Sequence, residues 1–458
     1  MTARVAVVGG GWAGLAAAAH LSAHGIPVSL FEAARQLGGR ARRVPFDQDG
    51  VDNGQHLLLG AYRETLQLLH LIGVEAERVL YRMPLSLPMR GTDGEQINLR
   101  VSRLPAPLHM AVGLLRTRGL TPGERLAALR FGLWLQRKGH ALAHDVCVTD
   151  LMHALRQPPR LIRALWGPLC LAALNTPPQQ ASARVFLRVL HDAFRHRRED
   201  SDLLFTVADL GALLPEPALH YVETHGGSVR LGQRVERLWV EDGRTKGIET
   251  GGERQDFDHV VIATAAPAAA RLLGPHSALA DTASDIARLH HQPVCTVYLQ
   301  YADPAVRLPE PMIGILDGTA QWVFDRRING QPGLLAAVMS GVGPHLELDN
   351  ASLGARVSAE LAALFPHWPP PRKTLIIREK RGTFSCDLES QGLRPGIATA
   401  VPGCWLAGDY TDTGYPGTLE GAVRSGVECA RAILARSNPA ANQAAPRATT
   451  RRGFAQTH

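Results

Sequence analysis

No C-x-x-C pair occurs among the six cysteines, Cys147, Cys170, Cys295, Cys386, Cys404 and Cys429, which stand far apart in the chain. That scatter suits a reducing compartment and offers neither a disulfide framework nor a metal site. No run of five or more lysines and arginines is present, so nucleic acid is not an expected partner. Long apolar runs are missing as well. The uncharged stretch 164–183 is interrupted by Gly167, Pro168, Pro177, Pro178 and two glutamines, and does not read as a spanning helix. The first strand begins too early to leave room for a leader, so the expected location is cytoplasmic, either free or on the inner membrane face. What remains is an ordinary globular composition, 45% hydrophobic and 20% charged over 458 residues, enough for two or three cores. Of the net charge of +7, three units belong to Arg447, Arg451 and Arg452 in an acid-free tail, 437–458, expected to be disordered.

The first forty residues organise the rest. Val5-Ala6-Val7-Val8 reads as a buried parallel strand and runs into Gly9-Gly10-Gly11-Trp12-Ala13-Gly14, a G-x-G-x-x-G pattern followed by an Ala-rich helix over 15–24. Gly9 permits a tight turn, Gly11 lets backbone N–H groups approach a pyrophosphate, and Gly14 lets the helix pack closely. The unpaired N–H groups of the helix start then face the phosphates. A second strand, 26–31, ends at Glu32, where a carboxylate can accept hydrogen bonds from a ribose diol. Strand, loop, helix and acid together predict a Rossmann-type dinucleotide domain of the α/β class.

A second glycine-rich turn, Leu37-Gly38-Gly39-Arg40, follows, then Val51-Asp52-Asn53-Gly54-Gln55-His56. With these residues the chain resembles the flavin amine oxidase and phytoene desaturase superfamily. The resemblance implies FAD, bound without a covalent link because no cysteine lies in 411–419. It places Gly39 and Arg40 at the diphosphate and flavin edge, with Gly54 and Gln55 close by. Arg234 to Leu238 is similar to the superfamily strand where a valine backbone, here Val235, contacts the adenine. Near the other end, Cys404-Trp405-Leu406-Ala407-Gly408-Asp409 and the helix opening at Thr418-Leu419 match the segments that hold the ribityl chain and the flavin N1/O2 edge. By that match the Gly408 N–H and the Asp409 carboxylate bind the cofactor, and the helix start stabilises reduced flavin.

Two distant motifs describing one cofactor imply a discontinuous FAD domain built from 1–80, 213–275 and 375–436. A substrate-binding α+β domain from 81–212 and 276–374 is inserted in it. Within the insertion, 81–99 reads as two strands around Gly91-Thr92-Asp93-Gly94, and 104–153 reads as helical. The helices over 107–140 combine apolar residues and Trp134 with Arg116, Arg118, Arg125, Arg130, Arg137 and Lys138. Two readings stand open for them: an interfacial pair lying on a membrane surface, or a helical cap whose apolar face is core.

The superfamily's amine oxidisers usually carry a lysine near flavin N5 and an aromatic residue just before the last helix. Here no lysine occurs between Lys246 and Lys373, and Gly417-Thr418-Leu419 stands at the aromatic position. Residues 52–62, 166–176 and 407–416 instead resemble the squalene-associated desaturase branch of bacterial hopanoid pathways. That resemblance implies a C30 isoprenoid substrate, reductive conversion of hydroxysqualene to squalene by hydride from reduced FAD, and association with other squalene-pathway enzymes. The acid that assists departure of the hydroxyl is sought at His56 or Tyr415, each of which can equally serve in packing or cofactor contact. An oxidative carotenoid desaturase and a non-catalytic FAD-bearing lipid carrier remain as alternatives.

Overall fold

The structure, a computed structural model, describes residues 3–47 and 50–437. The tail expected after the last helix lies outside the described residues. Val5–Val8 is the middle of a five-stranded parallel sheet ordered Ser228–Leu231, Val28–Glu32, Val5–Val8, His259–Ile262 and Cys404–Leu406. All four residues of the central strand are buried, as a strand covered on both faces requires. The first helix spans Trp12–Ala23, starting inside the glycine motif rather than after it. It is clamped by the final helix, Leu419–Ser437, which approaches so closely that a Cβ at Gly426 would sit 2.1 Å from the Ala13 carbonyl oxygen.

The inserted region carries a seven-stranded mixed sheet. Its order is Lys373–Phe384, His291–Gln300, Leu334–Ser340, Trp322–Asp325, Met312–Leu316, Ser86–Gly91 and Gln96–Arg100. The segment expected to hold two strands over 81–99 holds three. Leu80–Met83 leaves to pair with Leu203–Thr206, and only the next two form the hairpin around Gly91. Lys373–Phe384 pairs along His291–Gln300, so the chain rejoins the parallel sheet only at Cys404. The expected strand over 233–240 is the first of an antiparallel meander, Val235–Glu241, Arg244–Thr250 and Glu253–Asp256; the last two, rich in charge and glycine, escaped the pattern reading.

Strand alternation sorts His291–Gln300 into two faces. Cys295, Val297 and Leu299 pack with Leu353, Val357 and Leu361 of the helix Asn350–Leu364, while Tyr298 belongs to the core on the opposite side. Thr296 shares the Tyr298 face and therefore looks toward the dinucleotide half.

The helical block contains Leu108–Arg116, Pro122–Lys138, Val148–Ala154, Gly167–Leu174 and Ala183–Phe194. Pro122–Lys138 starts in a capping box between Thr121 and Glu124. Ile162–Trp166 widens to a π turn just before Pro168, whose ring and missing N–H cannot be fitted into a regular ladder. Among the described residues no helix is long and apolar enough to cross a membrane.

Candidate active site

The glycine loop divides its work among residues. Gly9 adopts φ +113°, and a Cβ there would meet the Ala263 carbonyl oxygen at 2.7 Å. A Cβ on Gly14 would lie 2.0 Å from the Gly9 carbonyl oxygen, so Gly14 closes the loop on itself. Gly11 is the contrast: a Cβ on it meets nothing within 4 Å. No side chain caps the helix that begins at Trp12, so its positive end is left for an anion. The Glu32 carboxylate accepts from the Gly10 N–H at 2.7 Å and the Ala34 N–H at 2.7 Å. The Gln233 N–H donates to the Glu32 carbonyl and leads the chain to Val235, which is buried beside it.

Sequence motifs 369 residues apart meet in one ion pair, Arg40 Nη2 to Asp409 Oδ1 at 2.5 Å. Arg40 also donates to the Gly382 carbonyl at 2.8 Å. Gly39, φ +61°, stands against Gly11. The loop carrying Asp409 is pinned from beneath by Arg394, which donates to the carbonyls of Asp409, Tyr410 and Thr411. Burial pulls the Arg394 pKa down, yet these carbonyls give the guanidinium its partners. Beside the pair lies a cavity of about 210 Å³ whose lining includes Arg40, Arg271, Arg381, His291 and Asp409, a positive balance suited to a phosphate-bearing ligand.

Several expected contacts are already used by the protein. The Gly408 N–H donates to Ser425 Oγ at 2.8 Å, correcting its expected role as a free cofactor donor; it ties the strand end to the last helix. Thr418 Oγ1 accepts from the Gly421 N–H at 3.1 Å and caps the helix that Leu419 opens. The next residue, Glu420, is fully buried and accepts from the Thr65 N–H and hydroxyl and from Arg424. Its carboxylate offsets part of the positive end expected to face a reduced flavin.

Gln55 and His56 frame a buried charge network that sequence reading missed. Arg326 donates to Gln55 Oε1 at 2.8 Å and to Asp52 Oδ2 at 3.3 Å, and both charged residues are at most 2% exposed. Asp52 lies within the motif already singled out; Arg326, in a turn of the inserted region, carried no signal at all. His56 Nδ1 lies 2.8 Å from the Gly54 carbonyl oxygen, which fixes the proton on Nδ1. Burial first, then Arg326 and Arg40, hold the ring below its ordinary pKa.

Tyr415 is buried, and its hydroxyl donates to Asp192 on the helix Ala183–Phe194. Arg188 and Arg424 lie over its ring, 5.6 and 4.1 Å from the centroid. Burial raises the phenol pKa, so the proton stays on oxygen. Nothing in the local sequence marked Asp192. Ligand atoms of His191, Asp192 and His196 fall within 4.8 Å of one another, a cluster not foreseen from cysteine spacing. Arg195 bonds His191 at 2.8 Å and Arg188 pairs Asp192 at 3.0 Å, which places positive charge where a metal ion would sit.

Residues 12–434 match the family model described as flavin containing amine oxidoreductase. The chain belongs to that family. A hydroxysqualene dehydroxylase from Rhodopseudomonas palustris is 29% identical over 450 residues, covering 95% of this chain and 99% of that protein. A 15-cis-phytoene desaturase from Solanum lycopersicum is 24% identical, covering 94% of this chain and 77% of that protein. Among solved structures, an oxidoreductase from Methanosarcina mazei superposes with a TM-score of 0.71 at 15% identity, covering 94% of this chain and 99% of that one. The protein is an FAD-dependent oxidoreductase with an α/β FAD-binding fold.

The site fits that cofactor on its own evidence. Beyond the open space at Gly11, buried polar atoms without partners gather along the expected path: Trp12 Nε1 in the glycine loop, Thr264 Oγ1 past the fourth strand, Thr296 Oγ1, Thr383 Oγ1 and Tyr410 Oη. Buried polar groups left unpaired are costly, so a polar ligand is what such a set calls for. Thr296 stands close to the Gly54 backbone: a Cβ on Gly54 would lie 3.8 Å from its Oγ1.

Proposed function

We propose that this family member removes the allylic hydroxyl of hydroxysqualene, giving squalene and water, in a bacterial squalene and hopanoid route. The support is the near full-length similarity to the Rhodopseudomonas enzyme, joined to the absence of any lysine between Lys246 and Lys373, a span that includes the strand His291–Gln300. FAD, held without a covalent link and reduced beforehand, supplies the hydride. Gly11, the first turn of the Trp12–Ala23 helix, Glu32, Val235 and the Arg40–Asp409 pair bind and orient it.

The chain's remaining task is to let oxygen leave as water. His56 is the proposed proton donor: Nδ1 is fixed on the Gly54 carbonyl, so only Nε2 can present a proton, and only from the charged ring. Because burial lowers its pKa below 6.5, turnover limited by this group falls as pH rises through a value under 6.5. Tyr415 Oη, committed to Asp192, acts here as a wall and as a brace between the last helix and the insertion. Exposed leucines of the helices Leu108–Arg116 and Pro122–Lys138, interleaved with arginines, are proposed to rest on a membrane surface, where a C30 substrate resides.

Turnover of the purified protein with hydroxysqualene, with and without a flavin reductant, tests the reading. Squalene is expected only with reductant. Desaturation of phytoene under oxidising conditions would favour the Solanum-like alternative instead, and no turnover of either would leave the lipid-carrier reading. His56→Gln should cost about 10²–10⁴ in rate and Tyr415→Phe much less; the reverse order would move the acid to Tyr415.

A further inference from the structure

We propose that the groove between the strand Gln96–Arg100 and the helix Leu108–Arg116 seats the phosphate of an anionic phospholipid headgroup, with Arg116 and Arg118 as its ligands. The inference rests on the membrane-docking part of the reading above and names the lipid chemistry of that contact. The groove encloses about 330 Å³, room for a headgroup phosphate and its glycerol. Arg100, Arg116 and Arg118 line it and no acidic residue does. Arg100 is held by Glu310, but Arg116 and Arg118 have no ion-pair partner among the described residues. Nearby arginines differ: Arg160 pairs with Glu95 and Glu124, and Arg163 with Glu95 and Asp317. Two unpaired guanidiniums converging on one groove are a phosphate-binding arrangement.

The walls are fixed rather than adaptable. A Cβ on Gly113 would lie 2.9 Å from the Arg100 carbonyl oxygen, so helix and strand touch backbone to side. Asn98 and Arg118 exchange backbone hydrogen bonds at 3.1 and 3.2 Å, which sets where Arg118 starts. The Asn98 side-chain oxygen is buried in the lining without a hydrogen-bond partner; as an acceptor it suits a hydroxyl of the headgroup glycerol, not the phosphate.

What surrounds the groove selects a lipid over a free phosphate. Leu108, Val112 and Leu115 follow one another at i, i+4 and i+7, so they share a helix face. Val112 lines the groove, while Leu108 and Leu115 are 56% and 46% exposed. A soluble anion would gain nothing from these leucines, whereas a headgroup phosphate brings acyl chains to them.

The test uses the full-length holoprotein and two vesicle types of equal surface charge on a digalactosyldiacylglycerol base, which carries no phosphate. One carries phosphatidylglycerol and the other carries oleate, an anion without phosphate. Wild type should prefer phosphatidylglycerol vesicles. Arg116→Gln with Arg118→Gln should erase that preference, each arginine accounting for about fivefold in partitioning. Arg130→Gln with Arg137→Gln, two exposed charges outside the groove, should weaken both vesicle types and leave the preference intact. Equal binding to both vesicles by wild type, or a preference that survives in the Arg116/Arg118 variant, overturns the phosphate seat while docking stands. Binding to neither vesicle overturns docking itself.

Discussion

The dinucleotide end and the helical face over 104–138 are built to opposite rules. At the dinucleotide end space is rationed: Gly9, Gly14 and Gly426 each sit where a single added carbon would strike a carbonyl oxygen, and Arg40, Asp409 and Arg326 all have partners. On the helical face Leu108, Leu126 and Leu133 are 48–56% exposed, and Arg116, Arg118, Arg130 and Arg137 have no ion-pair partner among the described residues. One region is closed around a cofactor site, and the other leaves leucines and arginines to solvent. Interior positions are intolerant because close packing leaves no slack, whereas exposed positions change stability little.

Arg326→Met attacks the first region hardest. It removes the cationic partner of the buried Asp52 carboxylate and leaves it the Leu210 N–H, which should lower unfolding free energy by about 3–5 kcal/mol in urea titration. A loss under 1 kcal/mol would mean that Asp52 finds other partners. Gly14→Ala forces a Cβ onto the Gly9 carbonyl and should cost about 1–3 kcal/mol. It should also reduce flavin per protein, read as the ratio of 450 to 280 nm absorbance. Normal flavin content would show that the loop can open without cost.

How much of this was legible follows the same division. The glycine motifs were readable because backbone close to phosphate admits one residue type, so sequence and geometry are tied one to one. The Arg40–Asp409 meeting was implied by two motifs that needed the same ligand. Arg326 and Asp192 were not readable, since an arginine or aspartate in a turn or helix acquires its meaning only from partners far along the chain. The N–H of Gly408 was assigned to the cofactor because a motif names a residue, not which of its atoms remain unbonded. For the helices over 107–140 composition left two readings, and burial shows why: Ala127, Ala128, Phe131 and Leu135 are core while Leu126 and Leu133 face outward.

A smaller effect concerns acid. Burial lowers the pKa of His20, His56, His109, His259, His291 and His345 below 6.5. Below that value the unfolded chain binds protons that the folded chain refuses, so stability is lost as pH falls from about 6.5. His109, fully buried with neither ring nitrogen bonded, is the clearest contributor. His109→Leu should flatten the fall between pH 6.5 and 5 in thermal melts and raise stability at pH 7 by about 1 kcal/mol; an unchanged slope would move the effect to the other histidines. Smallest of all, Leu126→Ser with Leu133→Ser should shift stability by no more than about 0.5 kcal/mol. Vesicle partitioning should nevertheless drop severalfold. A large stability loss with unchanged partitioning would return that face to ordinary core.

The pairing of Arg40 with Asp409, and of the first helix with the last, has a consequence during synthesis. The strand and glycine loop are made early, and the partners that complete them follow after nearly four hundred further residues. At about 5–20 residues per second the first strand waits roughly 20–80 seconds for Asp409 and Gly426 to emerge. Through that interval the insertion can fold ahead of the domain it interrupts, and the dinucleotide end remains an open sheet edge. A cofactor or chaperone present early would act on that half-built edge, and emergence of the helix Leu419–Ser437, rather than of the first strand, sets the moment at which flavin can be retained.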